Sequence, residues 1–224
     1  MEESINESHP ILQATELYAD YLNSSSMTNH ITNLIGSEAK KKKIEIIPYC
    51  YFQNKIIDYE AKKGTKYSDN LKNMNYDIKK IDLTDDEDII KYLVPKYKKF
   101  IPKNKSACGL IGVPIPNEEE PDAEQDHYVS YIYDNKSKIL YYFDSAIDEY
   151  YKEAETYKIL IYTFKPDKVI RNKKTFETAG GVSESPYTYI AQNIFCHSWS
   201  MWFLYQMIVE NKTVTQLNSL KSTK

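Results

Sequence analysis

Apolar positions first recur at helical spacing in residues 10–22, PILQATELYADYL, where Ile11, Leu12, Thr15, Tyr18, Ala19 and Leu22 fall on one face. Pro10 opens this segment and NSSSMTN closes it, which predicts a docked helix ending there. KIEIIPYCYF, residues 43–52, is dense in β-branched and aromatic residues and predicts a strand that Pro48 interrupts or confines to an edge. Residues 58–80 are polar and weakly periodic. LTDDEDIIKYL then carries Thr84 with Glu87 three positions on, a capping box followed by acids in the first turn, so a helix starts here and Pro95 limits it.

The pattern changes from residue 110. LIGVPIP predicts a short buried strand and NEEEPDAEQD an acidic loop. HYVSYIYDNKSKILYYFDS holds two apolar runs divided by the turn-forming Asp-Asn-Lys-Ser, the pattern of a β-hairpin. YKILIYTF predicts a further strand, TAGGVSESPY a flexible loop, and residues 196–209 an apolar helix. On that helix Trp199, Trp202, Phe203 and Met207 form one stripe and Leu204 and Ile208 another, so core surrounds it on most sides.

Composition narrows the class. A chain of 224 residues, 42% hydrophobic, suffices for one domain of mixed architecture. The formal charge of −3 gives no footprint for nucleic acid, since the basic run Lys40 to Lys43 is short and meets an apolar strand at once. Cys50, Cys108 and Cys196 are odd in number and far apart, which predicts neither a disulfide framework nor a zinc site, so no metal or cofactor is expected. The polar N-terminus is unlike a signal peptide, and no stretch reaches the roughly 18 apolar residues of a membrane span. A soluble protein of intracellular type, monomeric and without membrane partners, is the expectation.

The candidate chemistry lies in the hairpin and the last helix. With the hairpin turn centred between Asn135 and Lys136, His127 stands opposite Asp144, and cross-strand Cβ atoms are only about 5 Å apart. One imidazole N–H can then be held by the carboxylate while the other nitrogen takes a proton. Cys196 supplies a nucleophile: at the first turn of a buried helix, backbone N–H groups and the dipole favour a thiolate, and an imidazolium favours it further. Gln192 offers a side-chain amide to an oxyanion beside the Cys196 N–H, with Asn193 the competing donor. His197 reads as a capping or surface residue, because consecutive helical side chains point about 100° apart. His9 and His30 stand in polar context without visible partners, and Cys50 and Cys108 read as structural. A free cysteine is most often an inert buried hydrophobe and an aromatic helix most often plain core. Three agreeing features weigh against that: a histidine at a strand start, an acid across from it, and a thiol entering a buried helix.

In GVPIP (112–116), HYVSYIYDNKSKILYYFDSA and QNIFCHSWSMWF the chain resembles the adenain-like and ubiquitin-like-protein-specific cysteine proteases, nearest to the maturation proteases of large DNA viruses and virophages. That superfamily runs His, then an acid or Asn, then Gln, then Cys, and His127, Asp144, Gln192 and Cys196 stand in this order. The likeness covers roughly residues 80–210, its most specific element being Phe195 to Ser200. Tyr128 stands where many relatives have Trp, His197 where cellular enzymes have Gly, and Gln192 closer to Cys196 than is usual. The resemblance implies an α+β fold of papain-like, adenain type, with a mixed central β-sheet flanked by helices and a buried helix carrying the nucleophile. It implies a single cysteine protease domain over 1–224, with 1–80 an accessory portion and 81–224 the catalytic core. It also implies a protein substrate, a virion precursor cut after small residues such as Gly-Gly, in the virion or the cytoplasmic viral factory. A deubiquitinating or deSUMOylating protease and an inactive virion scaffold are the alternatives. Gly180-Gly181 is itself such a sequence, in a loop that reads as flexible. The acids from Glu118 to Asp126 precede His127 directly, as a solvated loop or as a source of negative potential on the imidazole.

Overall fold

A computed structural model of the chain describes residues 4–5, 24–51, 55–59, 76–80, 85–116, 124–145, 157–173, 186–219 and 221–222. The expected helix over 10–22 and the Gly180-Gly181 loop lie outside them. The serines of NSSSMTN, expected to end that segment, open a helix of their own, α1 (Ser24–Lys41). Met27, Ile31, Ile35 and Ala39 recur every four residues and are all buried, a stripe that faces the core. Lys40 and Lys41 sit in its last turn, where cations complement the helix dipole.

The strand expected over 43–52 is split by Pro48 into β2 (Ile44–Ile46) and β3 (Cys50–Tyr51), each parallel to a different part of β6 (Ser106–Pro116). Short strand pairs lie elsewhere: β1 (Ser4–Ile5) with β10 (Lys221–Ser222), and β4 (Lys55–Tyr59) with β5 (Tyr76–Lys80) inside the stretch that looked featureless. The long run continues antiparallel from β6 to β7 (Glu124–Asp134) and from β7 to β8 (Ile139–Asp144), then parallel to β9 (Lys168–Arg171). The principal sheet is therefore mixed, in the order β2-β6-β7-β8-β9.

Two expectations of local structure change. The cap before the acidic turn is Asp85, whose carboxylate accepts from the Glu87 N–H at 2.9 Å, and α2 (Asp86–Asp88) passes through a π-helical turn, Ile89–Leu93, into α3 (Val94–Lys98). Pro95 does not stop this helix, because it falls in the first turn of α3, where a missing N–H costs little. YKILIYTF is not a strand but α4 (Tyr157–Phe164): Ile159, Leu160, Thr163 and Phe164 are the buried positions, a helical spacing inside a run too uniformly apolar to show its period.

Helices cover both faces of the sheet. On one, α1, α5 (Pro186–Ile208) and α6 (Val214–Ser219) enclose a core of Ile31, Ile35, Leu110, Phe143, Met201 and Phe203, with Phe143 stacked on Phe203 at 4.7 Å. On the other, the π-helical turn, α3 and α4 pack Ile89, Tyr97, Ile159 and Phe164 against Val129, Tyr131 and Leu140. The architecture is α+β, a mixed sheet between helical layers. It agrees with the expected class, and it draws α1 and β2, both from the first eighty residues, into the sheet and core that carry α5.

Candidate active site

The hairpin forms, but not in the expected register. Its turn is longer, Asn135 to Lys138, so Asp134 pairs with Ile139 and Asp144 stands opposite Val129 rather than His127. A two-residue shift preserves the face, because side chains alternate with period two. His127 therefore reaches Asp144 diagonally, and its Nε2 lies 2.8 Å from Asp144 Oδ1. Both residues are buried, at 3% and 5% exposure.

Two contacts that the sequence did not suggest hold this pair. Asn172, just after β9, accepts from the Asp144 N–H through Oδ1 at 3.1 Å and donates from Nδ2 to the Asp144 carbonyl at 2.5 Å. It clamps the end of β8 on the side where the pairing with β9 has stopped at Tyr142. Nothing in VIRNKK marks this asparagine; its role comes from the parallel β8–β9 pairing, which is a long-range event. Ser200, on α5, donates to the carbonyl of Tyr128 at 3.0 Å and so ties the thiol-bearing helix to the strand residue beside His127.

Cys196 lies well inside α5, which begins at Pro186, and not at a first turn. Its backbone N–H is committed to the helix, so neither the dipole at a helix start nor a free Cys196 N–H for an oxyanion is present. Gln192 and Asn193 both lie one turn earlier on α5; their side chains are outside the described structure. The thiol itself is buried and hydrogen-bonded to the His127 ring. Burial by itself lowers the His127 pKa, but the Asp144 charge, the hydrogen bond to Asp144 and the Cys196 contact outweigh it. The imidazole is held well above its ordinary value. The side chains brought together are thus Cys196, His127 and Asp144. Of the two expected stripes, Trp199, Trp202, Phe203, Leu204 and Ile208 are buried, and Met207 is half-buried.

His197 is neither cap nor surface residue. It is 1% exposed, neither ring nitrogen has a hydrogen-bond partner among the described residues, and burial with the neighbouring His30 pushes its pKa down to about 4. Its ring meets Tyr128 edge to face at 5.6 Å, and His30, on α1, at 6.4 Å. His30 accordingly has a partner that its polar surroundings in sequence concealed. Tyr128 and His197, both departures from the resembled family, are thus each other's neighbours. Cys108 and Cys50 behave as structural thiols, pushed up by burial to about 12 and about 11.

No protein-family model and no curated protein sequence matches the chain. Among solved structures it is similar to the Legionella pneumophila effector protein RavZ. The RavZ structure in complex with human LC3B gives a TM-score of 0.27 at 10% identity, over 62% of this chain and 35% of that one. A second RavZ structure gives 0.27 at 13%, over 62% and 36%, and a third 0.23 at 12%, over 94% and 68%. The chain spans about a third of the length of the first two. Superpositions this loose leave the chemistry to be argued from the chain's own residues.

Proposed function

We propose that this protein is a cysteine peptidase with Cys196 as nucleophile, His127 as the proton carrier and Asp144 as the group that orients the imidazole. One observation carries the reading: a single buried imidazole is held by a carboxylate at 2.8 Å and is also hydrogen-bonded to a thiol. With Nε2 given to Asp144, Nδ1 is the nitrogen left for the sulfur. The raised His127 pKa favours a proton on the imidazole beside the sulfur, where it can be passed on in the reaction.

The reaction follows from these groups. The thiolate adds to the scissile carbonyl carbon, and the His127 proton passes to the leaving amine as the C–N bond breaks, leaving a thioester. His127 then takes a proton from water, whose oxygen attacks the thioester and releases the acid and the thiol. Gln192 or Asn193 is the donor we assign to the oxyanion. The order His127, Asp144, Gln192, Cys196 supports the finer reading, a processing endopeptidase that cuts virion precursors after small residues such as Gly-Gly within an infected cell or virion. A cleft admitting only glycine or alanine next to the sulfur would account for that preference.

The test is proteolysis of a Gly-Gly-containing capsid precursor by the full chain and by Cys196→Ala. Complete loss in the variant, with an unchanged circular dichroism spectrum and melting point, is expected; cleavage at the wild-type rate by the variant would overturn the assignment. Labelling of Cys196 by a ubiquitin-like vinyl sulfone, without precursor cleavage, would redirect the substrate to ubiquitin-like proteins.

A further inference from the structure

At the end of the sheet away from the His127–Asp144 pair lies an open cleft of about 1040 Å³ between the C-terminal half of α1, the start of β2, the segment entering β6, and the β7–β8 turn. Five lysines line it from separate parts of the chain: Lys40, Lys42, Lys43, Lys105 and Lys136. Two of them are committed. Lys42 donates to the Ile208 carbonyl at 2.5 Å and to Asn211 Oδ1, closing the end of α5, and Lys105 pairs with Glu45 at 2.6 Å. Both acids of the cleft are committed too, Glu45 to Lys105 and Asp134 to the Ser137 hydroxyl at 2.6 Å and the Lys136 N–H at 2.9 Å. Lys40, Lys43 and Lys136 have no ion-pair partner among the described residues, so three exposed ammonium groups share one concavity in a chain of net charge −3.

The helix dipole at the end of α1 accounts for a lysine at position 40, but not for the others. Lys136 comes from the hairpin turn. Lys43 holds φ at 57°, a left-handed conformation in which glycine is relaxed and a side chain costs about 1 kcal/mol, and Asn104 beside it holds 60°.

We infer that this cleft docks an acidic segment of the protein substrate, an inference that rests on the peptidase reading for the word substrate and on the cleft alone for the word acidic. Nucleic acid fits less well, since among the described residues no aromatic or arginine side chain lines the cleft to stack on bases, in a protein with 21 tyrosines. Ile44 and Ile46 beside the lysines, and the amide of Asn104, suit a peptide with mixed side chains. From His127 to Asp134 along β7 is roughly 23 Å at about 3.3 Å per residue. An acidic segment therefore acts at a distance from the cut bond, raising the local concentration of the substrate.

The experiment uses full-length Cys196→Ala and fluorescence anisotropy with a labelled Glu-Ser repeat peptide, its Gln-Ser counterpart, and a 12-nucleotide single strand of DNA. Salt-sensitive binding of the Glu peptide is expected, at least tenfold weaker after Lys40→Glu, Lys43→Glu and Lys136→Glu are combined, with the Lys→Gln triple variant intermediate. Equal binding of the Glu and Gln peptides, unchanged affinity in both triple variants, or tighter binding of the DNA would overturn it. In the wild-type background, a Gly-Gly reporter carrying the Glu tract beyond a spacer of about ten residues should be cut with a kcat/KM tenfold higher than one without it. The triple variant should lose that gain and keep its rate on the tractless reporter. Binding without any turnover supports the acidic site and removes the peptidase reading; turnover without Glu-peptide binding does the reverse.

Discussion

At the scale of single residues, the state of His127 is a contest between burial and one carboxylate. Burial alone would keep the ring neutral, and Asp144 at 2.8 Å reverses it. Asp144→Asn retains a hydrogen-bond acceptor but removes the charge, so the desolvation that now loses should prevail. The expected result is that the His127 ring, protonated at neutral pH in the native protein, becomes neutral there in Asp144→Asn. Imidazole 15N NMR resonances checks this; an unchanged titration would show that Asp144 is not the controlling charge. Asn172 acts one step further out. Asn172→Ala removes both hydrogen bonds that its side chain makes to the Asp144 backbone, costing about 1–3 kcal/mol of stability. Its kinetic signature should be a fall in kcat at nearly constant KM, since the clamp orients a carboxylate and binds no substrate; a pure KM effect would contradict this role.

At the scale of elements, the sequence was informative where side-chain period and burial agree, and silent where long-range pairing decides. The hairpin is legible because alternation and a turn tetrapeptide coincide over residues 127–144, yet its register was two residues off: the turn closes as Asn135 to Lys138, and loop length is not encoded in alternation. The diagonal contact survived because the shift was even. YKILIYTF misled because an unbroken apolar run has no visible period, and α1 was missed because its Met27–Ile31–Ile35–Ala39 stripe follows serines that look like a terminator. The start of the thiol-bearing helix was legible and overlooked: Ser185-Pro186 is a cap residue followed by a first-turn proline, but the glycine- and serine-rich TAGGVSESPY around it reads as loop. The β6–β7 pairing also makes a demand that only the fold shows. Gly109 faces Tyr131 in register, and a Cβ there would stand 3.1 Å from the Tyr131 hydroxyl and 3.2–3.3 Å from its ring. That hydroxyl is bonded to Tyr97 of α3, and both rings are buried in the core, so moving one displaces the other. Gly109→Ala should therefore destabilise the protein by roughly 1–3 kcal/mol in urea unfolding, through overpacking and not through backbone strain.

At the scale of the whole molecule, the two buried histidines, His127 and His197, give stability opposite dependences on pH. His127 is raised in the folded state, so its contribution is fully present below the ordinary imidazole value of about 6.5 and is lost as pH rises through its higher folded pKa. His197 is lowered to about 4, so between about 6.5 and 4 the unfolded chain binds a proton that the folded chain refuses, and stability falls as pH falls through that window. A shift of that size corresponds to roughly 3 kcal/mol once pH is below 4, at about 1.4 kcal/mol per pH unit. The groups that face this ring are His30 on α1 and Tyr128 on β7, and neither supplies a charge that would stabilise an imidazolium. His197 lies where α5, α1 and the His127 strand meet, so its protonation would loosen the docking of the thiol-bearing helix on the sheet. Replacing His197 by Phe keeps an aromatic ring and removes the titration. The native protein should lose about 2 kcal/mol more than His197→Phe between pH 7 and pH 4.5, measured by urea denaturation at both values. Equal losses in the two proteins would mean that this imidazole is solvated in the folded state, and that the contact between the two helices is not the acid-sensitive joint of the molecule.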